Sequence, residues 1–121
     1  MARILLIHPD QKLVNIYQKH LEPHFNVDSA HDGLSGLRMI KLHKPKIIIS
    51  DLELPYMSGL ALLQFVRNHP EMYATPFIFL SNSNMPHEAL NMGASAWLNQ
   101  KEHGPEHLLP HIFQHFRMQY S

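Results

Sequence analysis

Three consecutive β-branched residues, Ile47-Ile48-Ile49, followed by Ser50 and the carboxylate of Asp51, constrain the fold more than any other stretch of this chain. A run so short and so apolar reads as a strand covered on both faces, because a strand with one wet face alternates apolar and polar residues. Leu52-Glu53-Leu54-Pro55-Tyr56-Met57-Ser58-Gly59 then breaks it with a loop bearing Pro and Gly. A sheet covered on both faces needs helical layers above and below it. In such sheets ligands gather at the carboxyl ends of the strands. Asp51 is therefore the first candidate functional residue.

The remaining elements follow from hydrophobic spacing. Ile4 to Ile7 is a buried strand, and Pro9-Asp10 starts a helix, with Pro9 at its first position and Asp10 in its first turn. Leu13, Ile16, Tyr17 and Leu21 give that helix its apolar face, and Glu22-Pro23 stops it. Phe25 to Ala30 alternates as a less buried edge strand would. After His31-Asp32-Gly33, a helix carries Leu34, Leu37, Met39 and Ile40 and ends near Lys44-Pro45. Gly59 to Arg67 is the third helix, and Pro76 to Ser81 the next buried strand. A short helix over Pro86 to Met92, a strand over Ser95 to Leu98 and a helix from Glu106 to Gln119 complete the order. Leu109, Ile112, Phe113 and Phe116 form the last helix's inward stripe, and Pro110 predicts either a kink or a start nearer Leu108. His107, His111 and His115 share the opposite face at a spacing open to metal chelation, and read as solvated. Five strands alternating with five helices require parallel pairing and right-handed crossovers. The result is a three-layer α/β sandwich over residues 1–121, one domain, with the most apolar strands central in the order 2-1-3-4-5.

Composition narrows the function. Ten basic and ten acidic residues balance, which gives no electrostatic case for nucleic acid or an anionic membrane. The absence of cysteine removes disulfides, thiolate metal sites and cysteine nucleophiles, and fits a cytoplasmic location. No run is long enough for a signal segment or a membrane span. No glycine-rich phosphate loop follows the first strand, which argues against a small flavodoxin-like enzyme or cofactor binder.

Asp51 followed by Pro55, Met57 and Gly59, then Phe79-Leu80-Ser81, then Gly93-Ala94-Ser95-Ala96-Trp97-Leu98, resembles the receiver domain of two-component response regulators over essentially the whole chain. The resemblance implies the (βα)5 flavodoxin-like receiver fold and a signalling module rather than an enzyme. It also implies roles: Asp51 as phosphoacceptor, Ser81 as the switch hydroxyl that meets the phosphoryl group, and Trp97 as the aromatic that moves with it. The family binds magnesium through an acidic pair after the first strand, the acceptor Asp and the backbone carbonyl two residues beyond it, here Glu53. A Lys after the fifth strand contacts the phosphoryl group.

The sequence departs from that pattern where the charge of phosphoryl transfer must be neutralised. His8-Pro9 stands in place of the acidic pair. This predicts a weak or absent magnesium site, with Asp51, Glu53, Asp10 and His8 as its remaining candidates and no other cofactor. A transition ion held by His8, Asp51 and Glu53 is the alternative to a hydrogen-bonded histidine. Counted from Gly93-Ala94, the cation position falls on Gln100; counted back from Pro105, it falls on Lys101. The stretch from Ser81 to Gly93 is also shorter than the family pattern, which predicts a cut-down fourth helix. Two readings follow. One is a pseudo-receiver acting through protein–protein contact, with a histidine kinase or effector domain as partner and a homodimer through helix 4, strand 5 and helix 5. The other is a conventional receiver switched by phosphorylation of Asp51.

Overall fold

The computed structural model describes residues 1–82, 87–102 and 104–120, with the side chains of 88 and 115–120 outside the described set. Its elements are β1 (Arg3–Ile7), α1 (Gln11–Leu21), β2 (Asn26–Ala30), α2 (Gly33–His43), β3 (Ile47–Ser50), α3 (Gly59–Arg67), β4 (Phe77–Ser81), α4 (His87–Asn91), β5 (Ala96–Asn99) and α5 (Pro105–Tyr120). The strands form one parallel sheet in the order β2-β1-β3-β4-β5.

Strand alternation divides the core between two layers. Ile4, Leu6, Ile47, Ile49, Ile78, Leu80 and Leu98 face α1 and α5, where Val14, Tyr17, Leu21, Leu108 and Ile112 meet them. Leu5, Ile7, Ile48, Phe77 and Phe79 face the other way, onto Ile40 of α2, Leu62, Leu63 and Val66 of α3, and Ala89 of α4. β1, β3 and β4 are thus sealed on both faces, as their unbroken apolar runs demand.

Several local expectations need correction. Asp10 is the N-cap of α1, not part of its first turn, and its carboxylate accepts the Lys12 and Leu13 amides. Pro9 consequently lies outside the helix. Ile16 is 51% exposed and Val14 is buried in its place. Leu34 is likewise exposed. α5 begins at Pro105, not near Leu108, and Pro110 lies inside it, where the missing amide leaves the Glu106 carbonyl without its helical donor. Leu108 heads the inward stripe, flanked by the partly buried Leu109 and Phe113; the side chain of Phe116 lies outside the described residues. The fifth strand runs one residue later than expected, from Ala96 to Asn99. Among the described residues the fourth helix runs from His87 to Asn91; Pro86, its expected start, and the rest of the 83–86 segment lie outside the described residues.

α2 is capped by Asp32, whose side chain accepts both the amide and the hydroxyl of Ser35. These hydrogen bonds, the Ser35 amide foremost, lower the pKa of Asp32. A depressed folded-state pKa makes the contribution of Asp32 complete above the unfolded carboxylate value and lost as pH falls through the folded one. Asp32→Ala should therefore lower stability at neutral pH and lose less stability on acidification than the parent, as measured by urea unfolding across the acid range.

Arg67, the last residue of α3, ties three segments together. It donates from Nε to the Gly93 carbonyl (3.0 Å), from Nη1 to the Tyr73 and Thr75 carbonyls (3.1 and 2.6 Å), and from Nη2 to Ser95 Oγ (3.3 Å). Ser95 Oγ in turn accepts the Phe77 amide at the start of β4. Burial lowers the pKa of this guanidinium, and no carboxylate is paired with it among the described residues. Its partners are three backbone carbonyls and one hydroxyl, all neutral oxygens. Arg67→Ala should destabilise the fold by about 2–3 kcal/mol in urea unfolding, and Arg67→Lys by at least about 1 kcal/mol, because an ammonium cannot span the fork.

Candidate functional site

The site is assembled where the parallel ladder runs one residue past the strands. The His8 amide bonds the Ala30 carbonyl (3.0 Å), the Asp51 amide bonds Ile7 (2.9 Å), and the Gln100 amide bonds Ser81 (2.8 Å). The residues that follow β1, β3 and β5 are thereby brought to one edge of the sheet, beside the last residue of β4.

His8 is the centre of what they form. Its ring is buried, and Nδ1 accepts the Asp10 amide at 3.1 Å. With Nδ1 an acceptor, the imidazole proton sits on Nε2. Nε2 lies 3.1 Å from Gln100 Oε1 and 3.4 Å from Asp51 Oδ2, so one N–H faces an amide oxygen and a carboxylate together. Gln100 is held from its other end, donating Nε2–H to Asn82 Oδ1 at 2.6 Å. His31 donates from Nδ1 to the His8 carbonyl at 3.2 Å. Asp51, with 13% of its side chain exposed, accepts the Leu52 amide on Oδ1 at 2.7 Å. A chain of side chains from Asn82 through Gln100 and His8 to Asp51 thus spans the ends of four of the five strands.

The other expected residues lie as follows. Ser81 is buried at the end of β4. Trp97 is partly buried on β5, paired in register with Phe79, and the two rings lie 5.0 Å apart at 39°. Lys101 is exposed in the turn after β5, its amide bonded to Asn99 Oδ1; Gln100, not Lys101, reaches His8. Glu53 is exposed in the loop after Asp51. Asn82 and His31 escaped sequence reasoning, since neither lies in a motif and their partners are far along the chain. Gln100 was open to reading by counting from Gly93.

The acidic pair through which the family's magnesium site is built is absent from these residues. Mg²⁺ demands several hard oxygen ligands in octahedral geometry. Here the two positions after Ile7 hold an imidazole whose nitrogens are already engaged and a proline, while the Asp10 carboxylate caps α1. Among the described residues, no three His, Cys, Asp or Glu side chains are grouped to hold a metal ion.

Comparison with known proteins converges on one family. The family model described as response regulator receiver domain matches residues 4–113. A probable transcriptional regulator of Porphyra purpurea, ycf29, is 32% identical over 110 residues, covering 88% of this chain and 52% of that protein. The response regulator ArlR of Staphylococcus aureus is 32% identical over 82 residues, covering 67% of this chain and 36% of that one. The chain therefore spans about half the length of the first relative and about a third of the second. Among solved structures, the chemotaxis response regulator CheY4 of Vibrio cholerae superposes with a TM-score of 0.86 at 27% identity, covering 95% of this chain and 98% of that one. A receiver domain protein of Methanospirillum hungatei, 24% identical, shares the fold with a TM-score of 0.89 over 98% of this chain and 96% of its own. No helix among the described residues is long and apolar enough to cross a membrane. The strand order, the acid placed after the third strand and the extent of the family match agree: this chain belongs to the response regulator receiver domains of two-component signalling.

Proposed function

We propose that this receiver is a pseudo-receiver, whose acceptor position is occupied by an internal hydrogen-bond arrangement and whose output is contact with a partner protein. The observation that carries this reading is His8 Nε2, placed 3.4 Å from Asp51 Oδ2 and 3.1 Å from Gln100 Oε1. A phosphoryl group on Asp51 would bring additional negative charge to a carboxylate that has no lysine or arginine within ion-pair distance among the described residues. The side chain facing it across that distance would be the His8 imidazole, itself bonded to the Gln100 amide. The domain is expected to bind a histidine kinase or an effector domain through α4, β5 and α5, where two copies could also meet, and not to bind nucleic acid itself.

The alternative, phosphorylation of Asp51 with Ser81 and Lys101 closing on the phosphoryl group, is supported by the placement of Asp51 after β3 and by its partial exposure. Beryllofluoride, a phosphoryl mimic, separates the two. Titration with Mg²⁺ present, followed by Trp97 fluorescence, should give no saturable change. A saturable, magnesium-dependent change that vanishes in Asp51→Asn would establish the conventional receiver.

A further inference from the structure

A second surface lies away from the Asp51 site. Along α3 runs an open groove of about 430 Å³ lined by Met57, Ala61, Phe65, His69 and Pro70 together with Gln64 and Asn68. Lys41 of α2 holds its ammonium 5.5 Å over the Phe65 ring, and the His69 ring stands 5.6 Å from it. On α2, Leu34, Arg38 and Lys41 follow at i, i+4 and i+7 and share one exposed face. Tyr56 stands beside Met57 in the chain and is 82% exposed. Its φ of 70° closes a tight turn in which the Pro55 carbonyl accepts the amides of Met57 (2.8 Å) and Gly33 (2.9 Å), so the loop presenting this ring is pinned to α2.

Within the two helices the charge is one-sided: ten acids balance ten bases in the chain, yet neither α2 nor α3 contains a carboxylate, and the acids flanking them are the Asp32 cap of α2 and Glu71, which is paired with Lys44. An apolar groove with cations along its rim is complementary to a segment that carries apolar anchors on one stripe and carboxylates beside them. A second copy fits poorly, because a two-fold contact would set Arg38 and Lys41 against their own equivalents. A nucleic-acid backbone would leave the apolar lining unfilled and meet few cations.

We propose that the α2–α3 groove docks an acidic amphipathic helix of a partner protein, its apolar residues on Met57, Ala61 and Phe65 and its carboxylates facing Lys41 and Arg38. The proposal is independent of whether Asp51 accepts a phosphoryl group, so its failure leaves that question untouched.

The test uses the whole chain, isotope-labelled for amide NMR. The probes are a synthetic helical peptide with Leu anchors at i, i+3, i+4 and i+7 flanked by Glu, the same peptide with Lys for Glu, and a single-stranded DNA oligonucleotide. The acidic peptide should give saturable shifts confined to α2, residues 56–58 and α3, and bind at least about tenfold more tightly than the basic one. Lys41→Glu should reverse that preference, and Phe65→Gln, with an unchanged circular dichroism spectrum, should weaken the acidic peptide by about tenfold or more. No saturable shifts, shifts on another face, equal affinity for both peptides, the oligonucleotide moving the same amides, or a concentration-dependent dimer through them would each overturn the proposal.

Discussion

Gly33→Ala is expected to remove about 3–5 kcal/mol of stability, a large share of what a domain of this size possesses. A Cβ at this position would sit 1.8 Å from the Met57 carbonyl oxygen and 2.6 Å from the Met57 carbonyl carbon and Cβ. The obstruction is mainly backbone, so it cannot be relieved by turning a side chain. Retreat is also blocked, since the Gly33 amide donates to the Pro55 carbonyl and Gly33 is the first residue of α2 behind its Asp32 cap. The variant must therefore displace either the loop carrying Pro55 and Met57 or the start of α2. Gly36→Ala is the matched control. Its Cβ would meet Ile7 Cδ1 at 2.9 Å, the far end of a side chain that can shift, and its loss should stay below about 2 kcal/mol. Urea midpoints of the two variants, compared with the parent, measure the difference.

Replacing His8 should cost almost as much and reports on the site itself. His8→Leu keeps the bulk of a buried ring but leaves the Asp10 amide, Gln100 Oε1 and Asp51 Oδ2 without the group that faces them. An orphaned polar group in a part-buried setting costs about 1–3 kcal/mol, so a total near 2–4 kcal/mol is expected. The pairwise origin of that cost has its own signature. If Gln100 is held chiefly by His8, the double variant His8→Leu/Gln100→Leu should be more stable than the sum of the single losses by about 0.5–3 kcal/mol, since both halves of the pair are gone. Strict additivity in urea unfolding would mean the two side chains are neighbours without being coupled.

The sequence showed the frame of the molecule better than its working parts, and the reason is physical. β1, β3 and β4 are buried on both faces, and a run such as Ile47-Ile48-Ile49 has few other stable placements, so the sheet and its order were readable. Asp51 was readable for the same reason, as the first polar side chain with solvent access beyond a sealed strand. In α1 the spacing admits either Ile16 or Val14 to the inward face, and only packing against the sheet decides for Val14. The site's hydrogen bonds were harder still. Whether Gln100 or Lys101 points at His8 depends on a one-residue register in the turn after β5, and Asn82 joins only because β4 and β5 pair as they do. In the sequence Arg67 marks only the end of a helix; its role lies with carbonyls brought together from two loops.

Intact mass measures directly whether Asp51 accepts a phosphoryl group. After incubation with acetyl phosphate and Mg²⁺, the chain should keep the mass of the unmodified protein, with or without the metal. A stoichiometric gain of one phosphoryl group that requires Mg²⁺ and disappears in Asp51→Ala would contradict the account, and would show that His8 and Gln100 yield the site to the chemistry they now obstruct.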